Sequence, residues 1–422
     1  MNDKQHDECG CAGTVGTGLK SVEATLKDLM SSIECQQDTE SISIDDALDR
    51  ILAEDITCPY DFPPWPASAM DGYAFKWSEN CQSKPMPIVG TALAGHPFEG
   101  PIQPGECIRI MTGAPLPDDT DTVEMQENCD ISEDHIQLMQ EVSHGKNVRK
   151  IGSSIEAGTV IMKAGTKLGP SELSMIASSG VGEIAVYSPL RIAVFTTGDE
   201  LVQPGNPLAP GQIYDSNRLG MLSVCRRLGY EVIDCGLISD DMDETRKLMS
   251  EAAETADVLM TSGGVSVGDA DYIKPIVEEI GELSLWKVAI KPGKPIAIGK
   301  INDCHFFGLP GNPVSTLVTL DVLVKPALAK LAGQDKELDN PFVAISLDEL
   351  RKKPGRKDYQ RGIASVTNEG LWEVKSTGPQ GSGRLSSLVD ANCYIVLDED
   401  NSGASVGDKV MIQLFDNALS QT

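Results

Sequence analysis

Between Arg191 and Leu331 the chain alternates short apolar runs with longer amphipathic ones. Ile192–Thr197 and Asp257–Thr261 are apolar and β-branched almost throughout, as strands covered on both faces are. Tyr230–Asp234 reads as a third strand. Helical spacing falls between them, over Ser216–Leu228 and about Glu244–Thr255. Strands alternating with helices of about a dozen residues predict βαβ units and a mostly parallel sheet. The sheet is expected to continue through Ile296–Ile298 and His305–Phe307, with a closing helix over Thr316–Leu331.

Elsewhere the pattern changes. Residues 1–20 are polar and Gly-rich and predict disorder. Ser43 is a plausible N-cap for a helix whose apolar positions are Ile44, Leu48, Ile51 and Leu52. The proline-rich run Cys58–Pro66 predicts an extended connector, because each proline disfavours helix in the residue before it. Residues 73–150 carry short apolar runs among Gly and Pro, the texture of a β-rich unit. Residues 151–185, with a helix candidate at Ser171–Ala177, return to the architecture of the first helix. After Gly333 the alternating runs Val343–Leu347, Cys393–Leu397 and Gly407–Gln413 predict a compact β domain. The expected organisation is a leader over 1–20, a discontinuous unit from 21–57 and 150–185, a β-rich domain over 58–149, an α/β domain over 186–335 and a β domain over 336–422.

Composition narrows the function. Lys+Arg 35 against Asp+Glu 63 gives a net charge of −28, which disfavours nucleic acid and anionic membrane as partners. No apolar segment approaches the roughly eighteen residues of a membrane span, and the N-terminus lacks the apolar stretch of a secretory signal. A cytoplasmic location is therefore expected. Eleven scattered cysteines without a C-x-x-C pair fit reduced thiols; Cys9 and Cys11 form the one close pair.

In a parallel sheet the ligand crevice lies at the carboxyl ends of the strands. Four loops fall there: Thr197–Glu200, Ser239–Asp241, Ser262–Asp271 and Gly308–Ser315. In the third, Gly263, Gly264 and Gly268 let backbone N–H groups close around an anion. Asp269 and Asp271 beside them suit a hard cation that bridges protein and phosphate, which points to Mg²⁺. Asp199 and Glu200 read as a surface turn or as cation ligands, and Asp240 and Asp241 as ligands or as helix caps. Gly311 before Asn312-Pro313 leaves helix N–H groups open to an anion. Cations gather where an anion would need them: Lys287, Lys291 and Lys294, then six cations against one acid over Arg351–Arg361. The five histidines are dispersed, which argues against a Ser-His-Asp triad or a histidine metal site.

These residues stand in longer strings: Asp61–Trp65, Ser68–Ala74, Ile110–Pro115, Thr197–Leu201, Gly211–Asn217, Thr261–Tyr272, Lys287–Pro295 and Gly308–Ser315. In their order the chain resembles the molybdopterin molybdenumtransferase family over about residues 21–415, and is similar to the C-terminal domain of gephyrin. The resemblance implies a multidomain α/β plus β protein. Its central α/β domain would be similar to molybdopterin adenylyltransferases, joined by a β-rich second domain, a discontinuous elongated linking domain and a C-terminal β-barrel-like domain. It also implies a homodimer whose cleft lies between the α/β domain of one subunit and the second domain of the other, which brings in Asp71 and Thr112.

The implied substrates are adenylylated molybdopterin and molybdate, with AMP released. A molybdopterin adenylyltransferase and downstream cofactor-maturation enzymes are implied partners. Phosphates would lie on Thr197, Gly198, Ser262, Gly263, Gly264, Ser266, Gly268, Pro310, Gly311 and Asn312. Mg²⁺ would sit near Glu200, Asp240 and Asp271, with Lys287, Lys291, Arg361 and Ser382 facing oxyanions. The family pattern Asn-Val-Arg-x-x-Gly-x-Asp-Ile is Asn147–Ile155 here, with Ser154 in the acid's place. Either Glu156 substitutes, or the protein is a molybdopterin-holding scaffold with reduced turnover. A different phosphoanhydride enzyme on the same α/β unit is the third reading, weakened because residues 186–335 alone would suffice for it.

Overall fold

The computed structural model describes residues 14–15, 18–35, 37–264, 272–293, 295–335, 341–416 and 418–419. At its centre is a six-stranded sheet. Its strands are β1 (Arg191–Thr197), β2 (Glu231–Ile238), β3 (Val258–Ser262), β4 (Glu282–Lys287), β5 (Pro295–Ile301) and β6 (Cys304–Leu309), in the order β2-β1-β3-β6-β5-β4. The pairs β2/β1, β1/β3 and β3/β6 are parallel. The pairs β6/β5 and β5/β4 are antiparallel. Only Asn302 and Asp303 link β5 to β6, and a link that short admits a hairpin but no crossover. Asn302 takes φ 54°, the left-handed conformation such a turn demands.

The pleat sends alternate side chains to opposite faces, and both faces are covered. Ile192, Val194, Val258, Met260, Phe307 and Leu309 enter one core with the helix α1 (Asn217–Leu228). Ala193, Phe195, Leu259 and Phe306 enter the other with α2 (Met242–Thr255) and α3 (Ile273–Ile280). Burial on both sides is why β1 and β3 read as continuous apolar runs.

The predicted closing helix is one helical stretch in three parts. These are α4 (Pro313–Thr319), a π turn at Leu320–Val324 and α5 (Lys325–Leu331). Pro326 has no N–H to give Val322, and its ring would crowd that carbonyl, so the wider turn falls just before it. Against α5 lies a helix over Val22–Ser32, which begins in the stretch the sequence left without an element. The Ser21 hydroxyl accepts the Ala24 N–H at 3.1 Å, an N-cap.

The helix expected from Ser43 does not form. Ser43 does accept the Asp45 N–H at 3.3 Å, but only a 3-10 turn over Ile44–Asp46 follows. Asp49 turns to φ 64°, and the N–H groups of Asp49 and Leu52 go to the carbonyls of Leu168 and Thr166. The apolar spacing serves a different geometry, since Ala47 and Leu52 enter a small core with Leu168, Ile176 and Ile184. Within the first twenty residues, Thr14–Val15 pairs antiparallel with Leu19–Lys20.

Thr39–Ser43 pairs with Glu183–Tyr187, and Ile56–Thr57 with Val160–Met162, so the chain leaves this unit and returns to it. The excursion holds a six-stranded sheet in the order Cys129–Ile131, His135–Leu138, Met86–Ala92, Cys107–Ile110, Gly72–Phe75, Thr122–Met125. At the C-terminal end, β7 (Phe342–Ser346), β8 (Lys357–Val366), β9 (Trp372–Ser376), β10 (Cys393–Leu397) and β11 (Lys409–Leu414) run β8-β9-β7-β11-β10. The β8/β10 pairing closes them into a five-stranded barrel. Among the described residues no helix is long and apolar enough to cross a membrane.

Candidate functional site

The carboxyl ends of β3 and β6 open into a cavity of about 580 Å³. Gly263 and Gly264 continue β3 on one wall, and Pro310, Gly311, Asn312 and Ser315 continue β6 into α4. Lys291, Pro292 and Gly293 form a second wall, and the C-terminal region closes it with Arg356, Gln380, Gly381 and Ser382.

The glycines are required by geometry. Gly264 has φ +64°, and a Cβ there would lie 2.5 Å from Ile273 Cγ1. Gly263 has φ +97°, and its Cβ would press on the Thr197 carbonyl oxygen at 3.2 Å. Thr197 therefore backs the glycine loop from the end of β1. Gly198, at φ +148°, leaves room for the Glu200 carboxylate, whose Oε2 would otherwise meet a Cβ at 2.6 Å.

Ser262 is buried and works as a brace. Its hydroxyl donates to the Pro310 carbonyl at 3.0 Å, and the Asn217 amide donates both to that hydroxyl (2.8 Å) and to the Gly311 carbonyl (2.7 Å). One side chain from the start of α1 thus ties the two loops together. The start of α4 differs from expectation: the Asn312 side chain does not cap, and the Ser382 carbonyl takes the Val314 N–H at 3.0 Å. One of the helix N–H groups expected for an anion is used to seat the barrel's loop.

Lys291 lines the cavity and donates to Asp358 Oδ2 at 2.9 Å. Lys287 is exposed at the end of β4 and does not line it. Arg361 is fully buried on the outer face of the barrel, opposite Tyr394 on β10, where it donates to the Ser387 hydroxyl (3.2 Å) and the Tyr359 carbonyl (3.1 Å). Burial holds its guanidinium below the usual arginine range. The cavity's arginine is Arg356, from the same basic run. Gln380 clamps the Arg361 backbone, accepting its N–H at 2.8 Å and donating to its carbonyl at 3.1 Å. That clamp carries Gly381 and Ser382 to the rim.

The acidic loops meet at the ends of β1 and β2. The Asp199 N–H reaches Asp240 Oδ2 at 3.3 Å, and the Asp240 N–H reaches Asp199 Oδ1 at 3.2 Å. Asp241 is a helix cap, accepting the Asp243 and Glu244 N–H groups at 2.9 and 2.8 Å. Glu200 follows Asp199 directly and is exposed. Ser266, Gly268, Asp269, Asp271 and Lys294 lie outside the described residues. Among the described residues no three acidic, His or Cys groups meet at metal-ligand spacing.

Asp71 and Thr112 come together in the β-rich sheet unit, away from the cavity's lining. Asp71 Oδ1 accepts the Thr112 N–H (2.7 Å) and hydroxyl (2.8 Å), and these bonds hold its carboxyl below the usual range. Ser154 is exposed in a turn, its N–H on the Phe62 carbonyl at 3.0 Å. The Asp61 carboxylate lies against this turn from the facing segment, accepting the Ala157 N–H at 2.9 Å, and Glu156 is exposed.

Comparison with known proteins covers nearly the whole chain. The MoeA N-terminal region (domain I and II) matches residues 20–180, a probable molybdopterin binding domain matches 193–330, and the MoeA C-terminal region (domain IV) matches 343–415. A molybdopterin molybdenumtransferase of Haemophilus influenzae is 42% identical over 95% of this chain and 100% of its own length. A gephyrin of Dictyostelium discoideum is 30% identical over 95% of this chain and 63% of its own. A solved molybdopterin biosynthesis MoeA protein of Pyrococcus superposes with a TM-score of 0.77 at 30% identity, over 94% of this chain and 99% of that one. A likeness of this extent, running through all the strings that line and brace the cavity, means that the chain belongs to the molybdopterin molybdenumtransferase family.

Proposed function

We propose that this protein is a transferase of molybdenum cofactor biosynthesis. It places molybdenum from molybdate on the dithiolene of adenylylated molybdopterin and releases AMP. The observation that carries the reading is the composite cavity, where glycine loops from two strand ends meet Lys291, Arg356 and Ser382. Backbone N–H groups on one side and cations on the other suit a ligand bearing a phosphoanhydride beside a tetrahedral oxyanion.

Mg²⁺ fits the chemistry of the acidic loops, which offer only oxygen donors. Glu200 and Asp240 would hold it, with Asp271 from outside the described residues as the third ligand. When bound it would supply positive charge to the anhydride oxygens. The chain's own residues do the remaining work. Thr197, Ser262 and the glycines fix the phosphate loops, while Lys291 and Arg356 draw in oxyanions against the protein's net charge of −28. Asp71 and Thr112 would complete the site from a second copy of the chain, since neither lines the cavity of its own.

The test incubates the protein with adenylylated molybdopterin, molybdate and Mg²⁺ and follows AMP and bound molybdenum. AMP release that depends on molybdate is the expected result. Release that ignores molybdate would identify a hydrolase instead. Ser154 favours one alternative, a scaffold that holds molybdopterin, and tight pterin binding without AMP release would establish that reading.

A further inference from the structure

Asp358 is a buried carboxylate, 1% exposed, at the start of barrel strand β8. The short strand Ile290–Lys291 runs parallel beside it, with Lys291 opposite Asp358. Asp358 Oδ2 accepts from Lys291 Nζ at 2.9 Å and from Gln360 Nε2 at 3.1 Å. Its other oxygen, Oδ1, is buried with no partner. Lys352 and Arg361 also stand within its field. One carboxylate thus sits among three cations, and Lys291 presents its partly exposed side chain to the cavity.

A buried carboxylate with an unpaired oxygen is a poor way to glue two domains, because its desolvation offsets what the pair gains. Its larger consequence is electrostatic. The Lys291 ammonium is already partnered, so an entering oxyanion must compete with a carboxylate for it. We propose that Asp358 is the cavity's internal countercharge: it orients Lys291 at the rim and holds down the affinity for small oxyanions. Asp358 is on this account a positioning residue that sets anion affinity without touching the ligand. The proposal rests on reading the cavity as an oxyanion site.

Asp358→Asn keeps the shape and an acceptor for Lys291 but removes the charge. In the full chain it should tighten binding of molybdate and of sulfate by about tenfold, and in a Lys291→Gln background it should have no effect. The same variant should speed acylation of Lys291 by acetic anhydride, followed by mass spectrometry, because a neutral acceptor holds the amine less tightly than the carboxylate does. A merely structural pair moves affinity the other way, since a loosened loop binds worse; unchanged or weaker oxyanion binding overturns the proposal. Faster acylation with no oxyanion bound by either protein would leave the ion pair standing and sink the reading of the cavity, and the affinity claim with it.

Discussion

Glu124 keeps its charge in a fully buried position of the β-rich sheet. Burial alone would raise its pKa. The Lys146 ammonium at 2.7 Å, the Asn128 amide at 2.7 Å and the Met125 N–H at 3.1 Å outweigh it, and the net value falls below the ordinary 4.5. A depressed folded-state pKa gives stability that is fully present above the unfolded value and is lost as pH falls through the folded one. Glu124→Gln should therefore cost about 2 kcal/mol at pH 7, and the difference should vanish in acid below the folded pKa, in denaturant titrations at a series of pH values. A cost that persists at low pH would mean that packing rather than charge holds this site. Single residues are also where the sequence was least legible. The basic run Arg351–Arg361 announced an anion site, yet nothing in a run of cations says which of them faces a cavity. Strand β8 turns Arg361 to the barrel's buried outer face, opposite Tyr394, and the turn before it leaves Arg356 at the rim. Asn217 stood in a quoted string but carried no charge to mark it as the brace of two loops.

At the scale of elements, the parallel core was legible because both-face burial leaves continuous apolar strands. The hairpin of β5 and β6 was not, since apolar runs do not state direction and only the two-residue link does. The helix expected from Ser43 failed for a related reason: its spacing fits a helix, but pairing with a segment more than a hundred residues away supplies better partners for its N–H groups. The glycine loop after β3 is the element whose conformation matters most to the site. Gly264→Ala forces a side chain into φ +64° and against Ile273. The backbone strain is about 1–2 kcal/mol, tolerable in a chain of this size. A displaced loop, however, moves N–H groups off the ligand, so affinity for adenylylated molybdopterin should fall about tenfold or more while the denaturation midpoint shifts little. Equal affinity would show that Gly264 serves packing alone.

At the scale of the molecule, the site's parts come from regions that share no local pattern. The cavity joins the α/β sheet to the barrel through the Lys291–Asp358 pair and the Ser382 carbonyl on Val314. Asp71 and Thr112 remain in the excursion sheet. No periodicity announces the joining of sheet to barrel, since Lys291 and Asp358 stand 67 residues apart in the chain. If a second copy completes the cleft, mutations in the two halves must complement each other. Asp71→Asn would spoil the half given by the β-rich unit, and Lys291→Gln the half given by the α/β unit. Each variant alone should lose most of its turnover. A dimer made of one of each has one cleft with both lesions and one with neither. Random reassociation of equal amounts makes half of the dimers mixed, so about a quarter of the unmutated activity should return on mixing. AMP release measured before and after subunit exchange reads this directly. If instead each chain builds its own site, every cleft in the mixture still carries one lesion, and mixing restores nothing.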